Sequence, residues 1–437
     1  MPSALVPLSA LLLGAAILLL GNGLLGILLP IRATVEQFAT TSIGAIAAGY
    51  SAGFVLGCIG MPYIVQRVGH IRTFAVMAAI AASTVLLMML LVQPLLWILL
   101  RLISGVAFAG LYMVIESWLN ERATNTNRGQ VFATYMVIQL AAITIGQMLL
   151  PLGDPAGVAL FAVTAIAITM ALVPVSLTTA MAPQPLSAVR LRLGRLYAMS
   201  PVGVLGCFFI GMANGAFGGL GAVFATEVGL STTGVAIFMS AALVGGALFQ
   251  VPFGRLSDRI DRRKVLLVAC ALAVIGGSLL GLAADADRET PGFWAIFQSP
   301  WVMMGAVVLF GGCIYSMYSL CVAHTNDHVD REDFVEATSG LLLTWGIGAS
   351  IGPVAAALMI DLVGLRGLFL FTAVVHGLFM AFTWYRITQR ASLPPEARPD
   401  FVQAGASRTT PVVSTLDPRA PDQPEEPPAD AEEQAAA

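Results

Sequence analysis

Along the chain, apolar stretches of about 20 residues alternate with short polar breaks. Twelve such stretches fall near residues 7–31, 43–66, 73–92, 95–117, 130–152, 156–177, 201–225, 232–252, 265–284, 301–322, 338–360 and 367–387. A helix rises about 1.5 Å per residue, so each stretch is long enough to cross a hydrocarbon core of about 30 Å. The pattern therefore predicts an all-α membrane protein with 12 transmembrane helices. The first stretch is read as a retained helix: no Lys or Arg precedes it, and it is too long for the apolar core of a signal peptide. After Arg390 the pattern ends. Nine prolines between Pro394 and Pro428, set among Ala, Glu and Asp, predict a disordered tail over 391–437.

Composition agrees. Of the 437 residues 57% are hydrophobic and 11% charged, against about 25% charged in soluble domains. A net charge of -3, spread along the chain, excludes a nucleic-acid-binding surface. The five cysteines, Cys58, Cys207, Cys270, Cys313 and Cys321, all fall in apolar stretches without metal-ligand spacing, so they read as small core residues. The placement of the cations says more than their number. With both termini in the cytoplasm, 15 arginine and lysine residues occupy inner loops and helix ends, among them Arg122, Arg190, Arg192, Arg195 and Lys264, whereas the outer loops hold Arg32, Arg288 and Arg366. That asymmetry predicts a multi-pass membrane protein with both termini cytoplasmic, and the 21 arginines against one lysine, with abundant Ala and Gly, point to a GC-rich bacterial genome and so to a bacterial inner (plasma) membrane.

The chain also repeats itself. An offset of 192 residues lays Gly21-Asn22-Gly23 on Ala213-Asn214-Gly215, Gly53 on Gly245, and Gln66-Arg67 on Asp258-Arg259. Farther on the offset becomes 206, pairing Gly105 with Gly311, Tyr112 with Tyr318, Asn120 with Asn326 and Gly146 with Gly352. The polar loop around Asp285 to Pro300 supplies the difference. A duplication of six helices follows: an N-terminal bundle over 1–177, a linker over 178–200, a C-terminal bundle over 201–390 and the tail. The linker's Arg190, Arg192 and Arg195, spaced among leucines, suit a short amphipathic helix on anionic lipid as well as a plain connection.

The segment Gly254-Arg255-Leu256-Ser257-Asp258-Arg259-Ile260-Asp261-Arg262-Arg263-Lys264 resembles the loop signature of the major facilitator superfamily, departing at Asp261, where that pattern usually has glycine. The first-half copy keeps Arg67, Gly69 and Arg72 but has Gln66 in place of the acid. Arg101, Gly105 and Gly110 resemble the family's RxxxG motif, and Gly348, Gly352 and Pro353 its GxxxGP motif, here in the eleventh span and not the fifth. Glu116-Ser117 and Asn127-Arg128-Gly129 are similar to the YcaD-like bacterial branch. The resemblance implies two pseudo-symmetric six-helix bundles, with spans 1, 4, 7 and 10 around a central cavity. It also implies secondary active or facilitative transport of a small organic solute by rocker-switch alternating access. A multidrug-type proton-coupled exporter, or a transporter-derived membrane sensor whose tail recruits a partner, stands as the alternative. No HExxH, placed GxSxG or pair of intramembrane acids points to an enzyme.

On that map Arg101 is the foremost candidate for substrate binding, since a charge inside the membrane is costly and should face a cavity with a partner. Tyr112 and Gly105 fall on the same helical face as Arg101. Asn22 and Asn214, flanked by glycines, are repeat mates suited either to lining a cavity or to joining helices. Gln139, Gln147, Tyr315, Tyr318 and Trp345 complete the expected binding set, and His376 reads as packing. For gating, Asp258 is expected to meet the N-terminus of span 5 near Arg128 when the cytoplasmic side closes, with Gln66 as a weaker counterpart facing span 11. Arg67, Arg72 and Glu116, and on the other side Arg255, Arg259 and Asp327, are expected to add ion pairs. Glycine stripes at Gly49, Gly53 and Gly57 and at Gly348 and Gly352 allow close helix contact. The expected partners are a small-molecule substrate, with proton coupling left open, and the lipid bilayer. No cofactor, metal or nucleic acid is expected, and the chain is expected to act as a monomer.

Overall fold

In the computed structural model, residues 8–176, 192–285, 296, 299–394, 398–405 and 409–421 are described. The helices are α1 (Ser9–Val35), α2 (Thr40–Val68), α3 (His70–Leu90), α4 (Pro94–Arg122), α5 (Arg128–Met148), α6 (Ala159–Met170), α7 (Leu172–Ser176), α8 (Leu193–Met199), α9 (Pro201–Glu227), α10 (Thr232–Arg259), α11 (Arg262–Asp285), α12 (Pro300–Asn326), α13 (Phe334–Val363) and α14 (Gly367–Gln389). Among the described residues 12 spans are long and apolar enough to cross a membrane, α6 and α7 counting together as the sixth. Helices α4, α12 and α13 run several residues past the apolar stretches. A helix satisfies its own backbone wherever it ends, so its length is not limited to its apolar part.

Local chemistry sets the breaks. Ser200 and Ser231 accept hydrogen bonds from the Gly203 and Gly234 amides, capping α9 and α10. Between α2 and α3 a single residue turns the chain, Gly69 at φ +89°, a conformation that costs glycine nothing. Its repeat mate is Asp261. There the turn is made differently: the Asp261 carboxylate accepts the Arg263 amide at 3.0 Å and the Arg263 guanidinium at 2.7 Å, capping the start of α11. The departure from glycine in the sequence thus marks a side-chain cap in place of a left-handed turn.

The duplication is visible in three dimensions as matched glycine contacts. Gly53 packs on the Leu102 carbonyl and Gly245 on that of Val308; Gly105 packs on the Tyr50 carbonyl and Gly311 on that of Ala242. The same correspondence links Gly146 on Leu20 with Gly352 on Met212, and Gly23 on Ile143 with Gly215 on Ala349. Where one half differs, the partner compensates. Gly57 faces Val106 in α4, while at the equivalent place Phe249 faces Gly312. Large and small have exchanged sides while the helix pair is kept.

Across the two bundles, Gly44 of α2 lies against the Pro353 carbonyl and Ala357 of α13, Gly346 against Val55, and Gly219 of α9 against Ala47. Gln147 of α5 accepts a hydrogen bond from Ser240 of α10 at 2.8 Å. These contacts gather toward one face of the molecule. At the other, which carries the α2–α3, α4–α5 and α10–α11 connections and is here called the basic face, the chain after α14 lies between the bundles.

That placement differs from the expected disordered tail. Residues 398–405 and 409–421 include a short 3-10 helix, Pro411–Leu416, and Leu416, Val413 and Ala420 are buried. Phe401, Val402, Val412, Val413 and Leu416 give this stretch an apolar content that the surrounding prolines conceal. Of the linker, α8 is described and its Arg195 pairs with Asp333 at 2.6 Å. Arg190, Arg288 and most of the polar loop before α12 lie outside the described residues, as does the chain beyond 421.

Adding a methyl group at Gly105 or Gly311 should therefore lower stability by about 1–3 kcal/mol, because backbone must move to admit it. Gly60→Ala, with nothing within 4 Å of the new carbon, should instead be neutral or stabilising by about 0.5–1 kcal/mol. Thermal unfolding in detergent measures both; equal effects at the three positions would contradict the packing account.

Candidate functional site

Between the bundles lies a cavity of about 1140 Å³, its mouth included. Its wall takes Asn22 from α1, Tyr50 from α2, Arg101 from α4, Asn214 from α9, Tyr315 from α12 and Trp345 from α13. A second chamber of about 930 Å³ adjoins it toward the basic face, sharing Asn214, Leu243 and Tyr315 and adding Gln139 and Tyr318. Among the described residues lining the two chambers, Arg101 is the one charged side chain, and no carboxylate faces them.

Arg101 is 8% exposed, with its guanidinium carbon 4.1 Å from the centre of the Tyr50 ring. Stacking on an aromatic face offsets part of the desolvation of the charge. The Tyr50 hydroxyl accepts a hydrogen bond from the Asn22 amide at 3.2 Å, and the Tyr112 hydroxyl accepts another at 2.6 Å. Asn22 thus both lines the cavity and joins α1, α2 and α4. Its repeat mate is less committed: Asn214 Oδ1 has no protein partner, and the same holds for Trp345 Nε1, whereas the Gln139 amide is engaged with the Tyr135 hydroxyl. Buried polar atoms left without protein partners at a cavity wall are where a ligand or water must supply the hydrogen bond.

Two of the expected binding residues lie elsewhere. Tyr112 is fully buried behind Asn22, packed near Phe54 and Phe108. It shares a helical face with Arg101 but lies 11 residues farther along α4, about 16 Å along the axis. Gln147 is spent on Ser240 at the interface of the bundles. His376 Nδ1 donates to the Thr372 carbonyl within its own helix, at 2.7 Å.

On the basic face Gln66, Arg67, Arg72, Arg255 and Arg259 are exposed. Asp258 is half-buried, and its Oδ1 accepts from Arg262 at 3.1 Å and from the Phe401 amide at 2.9 Å. Arg128 at the start of α5 donates to the carbonyls of Pro418, Ala420 and Pro421 at 2.7–3.1 Å. In this state, then, the tail holds both partners of the expected latch. Glu116, expected in a gating ion pair, is 0% exposed and takes part in none among the described residues. Its carboxylate accepts hydrogen bonds from the Tyr135 hydroxyl at 3.3 Å, from the Thr410 amide at 2.9 Å and from the Thr410 hydroxyl. It lies too deep between α4 and α5 to reach Arg67 or Arg72 at the surface.

Sequence reasoning also missed Arg262. This arginine is buried and binds Asp327 at 2.9 Å, Ser257 at 2.9 Å, Asp258 and the Pro399 carbonyl. The four-residue spacing from Asp258 was the available signal. Asp327 is raised from the usual carboxylate range by its burial, against the pull of Arg262. At Asp261 burial acts in the same direction, but the Arg263 hydrogen bonds and charge prevail and lower it.

Comparison with known proteins fits this geometry. Residues 203–422 match the sequence profile of the Major Facilitator Superfamily. The uncharacterized MFS-type transporter YcaD of Escherichia coli O17:K52:H18 (strain UMN026 / ExPEC) is 26% identical over 386 residues, covering 86% of this chain and 94% of that protein. In fold, the chain is similar to the nucleoside transporter NupG, with a TM-score of 0.69 at 14% identity over 87% of this chain and 98% of that one. It is also similar to a bacterial homolog of the human lysosomal transporter Spinster in an inward-facing, occupied conformation, with a TM-score of 0.70 at 16% identity over 90% of this chain and 97% of that one. Twelve spans, a duplicated pair of bundles, a cavity between them and a profile match over half the sequence lead to one conclusion: the chain belongs to the Major Facilitator Superfamily of membrane transporters.

Proposed function

We propose that the protein moves a small organic solute bearing an anionic or strongly polar group, by alternating access, across a bacterial inner membrane with the basic face in the cytoplasm. One observation carries the substrate class: Arg101 is the one charged side chain among the described residues lining the two chambers. In a site of low dielectric a guanidinium favours an anion by a planar, two-pronged contact that lysine does not reproduce. Asn214, Trp345 and Gln139 would then supply acceptor and donor groups to the rest of the solute. The unpartnered atoms of Asn214 and Trp345 cost the empty protein free energy that a polar ligand recovers.

For the membrane side, the cation asymmetry along the chain supports a cytoplasmic basic face. The apolar share of the wall, including Leu25, Leu29, Ile43 and Phe54, favours a multidrug-type exporter as the second reading. A sensor that offers its tail to a partner is less well supported, because the stretch from 409 to 421 buries Thr410, Val413, Leu416 and Ala420 between the bundles.

A panel of organic carboxylates, phosphates and neutral lipophilic drugs, screened by thermal stabilisation of the purified protein, separates the two readings. Stabilisation by anions alone supports ours, and stabilisation by the neutral drugs alone supports the exporter. With the best ligand in hand, Arg101→Ala should weaken binding and counterflow in proteoliposomes about 10- to 100-fold, the scale of one charge-assisted hydrogen bond of 1.5–3 kcal/mol. Arg101→Lys should restore little of it, and unchanged counterflow in Arg101→Ala would remove this residue from the site. Asn214→Ala should raise KM about three- to tenfold. Because Asn214 Oδ1 has no protein partner, the same variant should leave the melting temperature of the ligand-free protein nearly unchanged. A large loss of stability would mark the residue as structural.

A further inference from the structure

The two bundles touch near one face and along α2 and α13, where Cys58 and Ala109 pack on Leu343, and at the basic face a strap of their own chain lies between them. We propose that residues 398–405 and 409–421 form an autoinhibitory plug that seals the basic-face vestibule and must withdraw before solute can pass. The proposal rests on the transport reading above but concerns a different part of the molecule.

Three observations converge on it. First, the strap engages both halves. On the C-terminal side, Arg398 donates to the Ile260 carbonyl at 2.7 Å, the Phe401 amide to Asp258, and Ser319 exchanges hydrogen bonds with the Ala404 backbone at 2.8 and 3.0 Å. On the N-terminal side, Thr410 donates to Glu116, and the carbonyls of Pro418, Ala420 and Pro421 surround the Arg128 guanidinium. Second, Gln403, Ala404 and Gly405 form part of the wall of the lower chamber, so the strap lies across the way from the cavity to the basic face. Third, Glu116 is a carboxylate with no exposed surface, and the strap supplies most of its hydrogen bonds. A buried carboxyl group stripped of its hydrogen-bond partners is costly, so a dry vestibule without the strap is unfavourable. Either the strap or water must fill it.

The mechanical consequence is direct. Closing the basic face would require α10 to approach the start of α5, yet Asp258 and Arg128 both hold the strap. The seated strap blocks the passage and also prevents the bundles from rocking, which shifts the population toward one state.

The test combines access and cross-linking. Ala247 lines the lower chamber, and the five native cysteines are all buried. In Ala247→Cys, a membrane-impermeant thiol reagent applied from the basic face should react roughly tenfold faster once the chain is truncated after Arg390, the change expected if the strap occupies the vestibule in about nine molecules of ten. An equal rate in the two forms would overturn the plug. A carbon added at Gly129 lies 3.7 Å from Cβ of Pro418, a separation suited to a disulfide. The full-length Gly129→Cys/Pro418→Cys protein should cross-link on oxidation, lose transport and recover it on reduction. Failure to cross-link, or full transport in the cross-linked form, also refutes the proposal. The labelling arm needs no substrate, so it stands or falls independently of the transport reading. Faster labelling with no solute carried would leave the plug and sink that reading instead.

Discussion

The helices of this protein approach one another where a glycine faces the backbone carbonyl of its neighbour, a place in which any added side-chain carbon would collide. Within a bilayer, apolar side chains gain nothing by leaving lipid for protein, so helices associate through packing and polar contacts that need close backbone approach. Gly53, Gly105, Gly146 and Gly23 provide it in one bundle, and Gly245, Gly311, Gly352 and Gly215 in the other. Between the bundles Gly44 faces the Pro353 carbonyl in the same way, while Gly219 and Gly346 make room for the Ala47 and Val55 side chains. Smooth surfaces allow one helix to slide against another, whereas interlocked large side chains resist it. The packing that builds each bundle is thus also compatible with movement of one against the other.

The polar groups are arranged against that background. A charge is tolerable in the interior where an aromatic face, a hydrogen bond or solvent compensates it, and each interior charge here has its own arrangement. Arg101 stacks on Tyr50 at the cavity wall. Glu116 is enclosed by hydroxyl and amide donors. Arg262 is buried on the basic face, its Nε–H shared between the two carboxylate oxygens of Asp327. Only the first faces the chamber between the bundles, so only it is placed to meet a solute there. The second and third hold the chain after α14, through Thr410 and Pro399.

Much of this was legible in the sequence. Twelve apolar stretches and two offsets identify the helices and their duplication, and the repeat mates Asn22 and Asn214 both border the cavity, as does Arg101. Helical periodicity was less able to resolve depth: Tyr112 has the angular position of Arg101 but lies too far along α4. Gln147 could not be told from a cavity residue, because its partner Ser240 belongs to a helix 93 residues away in sequence. Glu116 and Arg262 were obscured for the same reason, since some of their partners are distant in sequence: Thr410 for Glu116, and Asp327 and Pro399 for Arg262.

The tail shows why a composition typical of disorder does not exclude a docked structure. Many of the bonds that hold it use its backbone: the carbonyls of Pro399, Pro418, Ala420 and Pro421, and the amides of Phe401, Ala404 and Thr410. Any residue presents a carbonyl, and proline presents one while having less conformational freedom to lose on binding. Proline and alanine therefore suit a segment that docks through its backbone and contributes a few apolar anchors such as Phe401, Val413 and Leu416. Such a segment has little helix or strand to form when it leaves the vestibule. Its release is favoured by chain entropy and opposed by burial and hydrogen bonding, and near balance between those opposing terms is what a reversible plug requires.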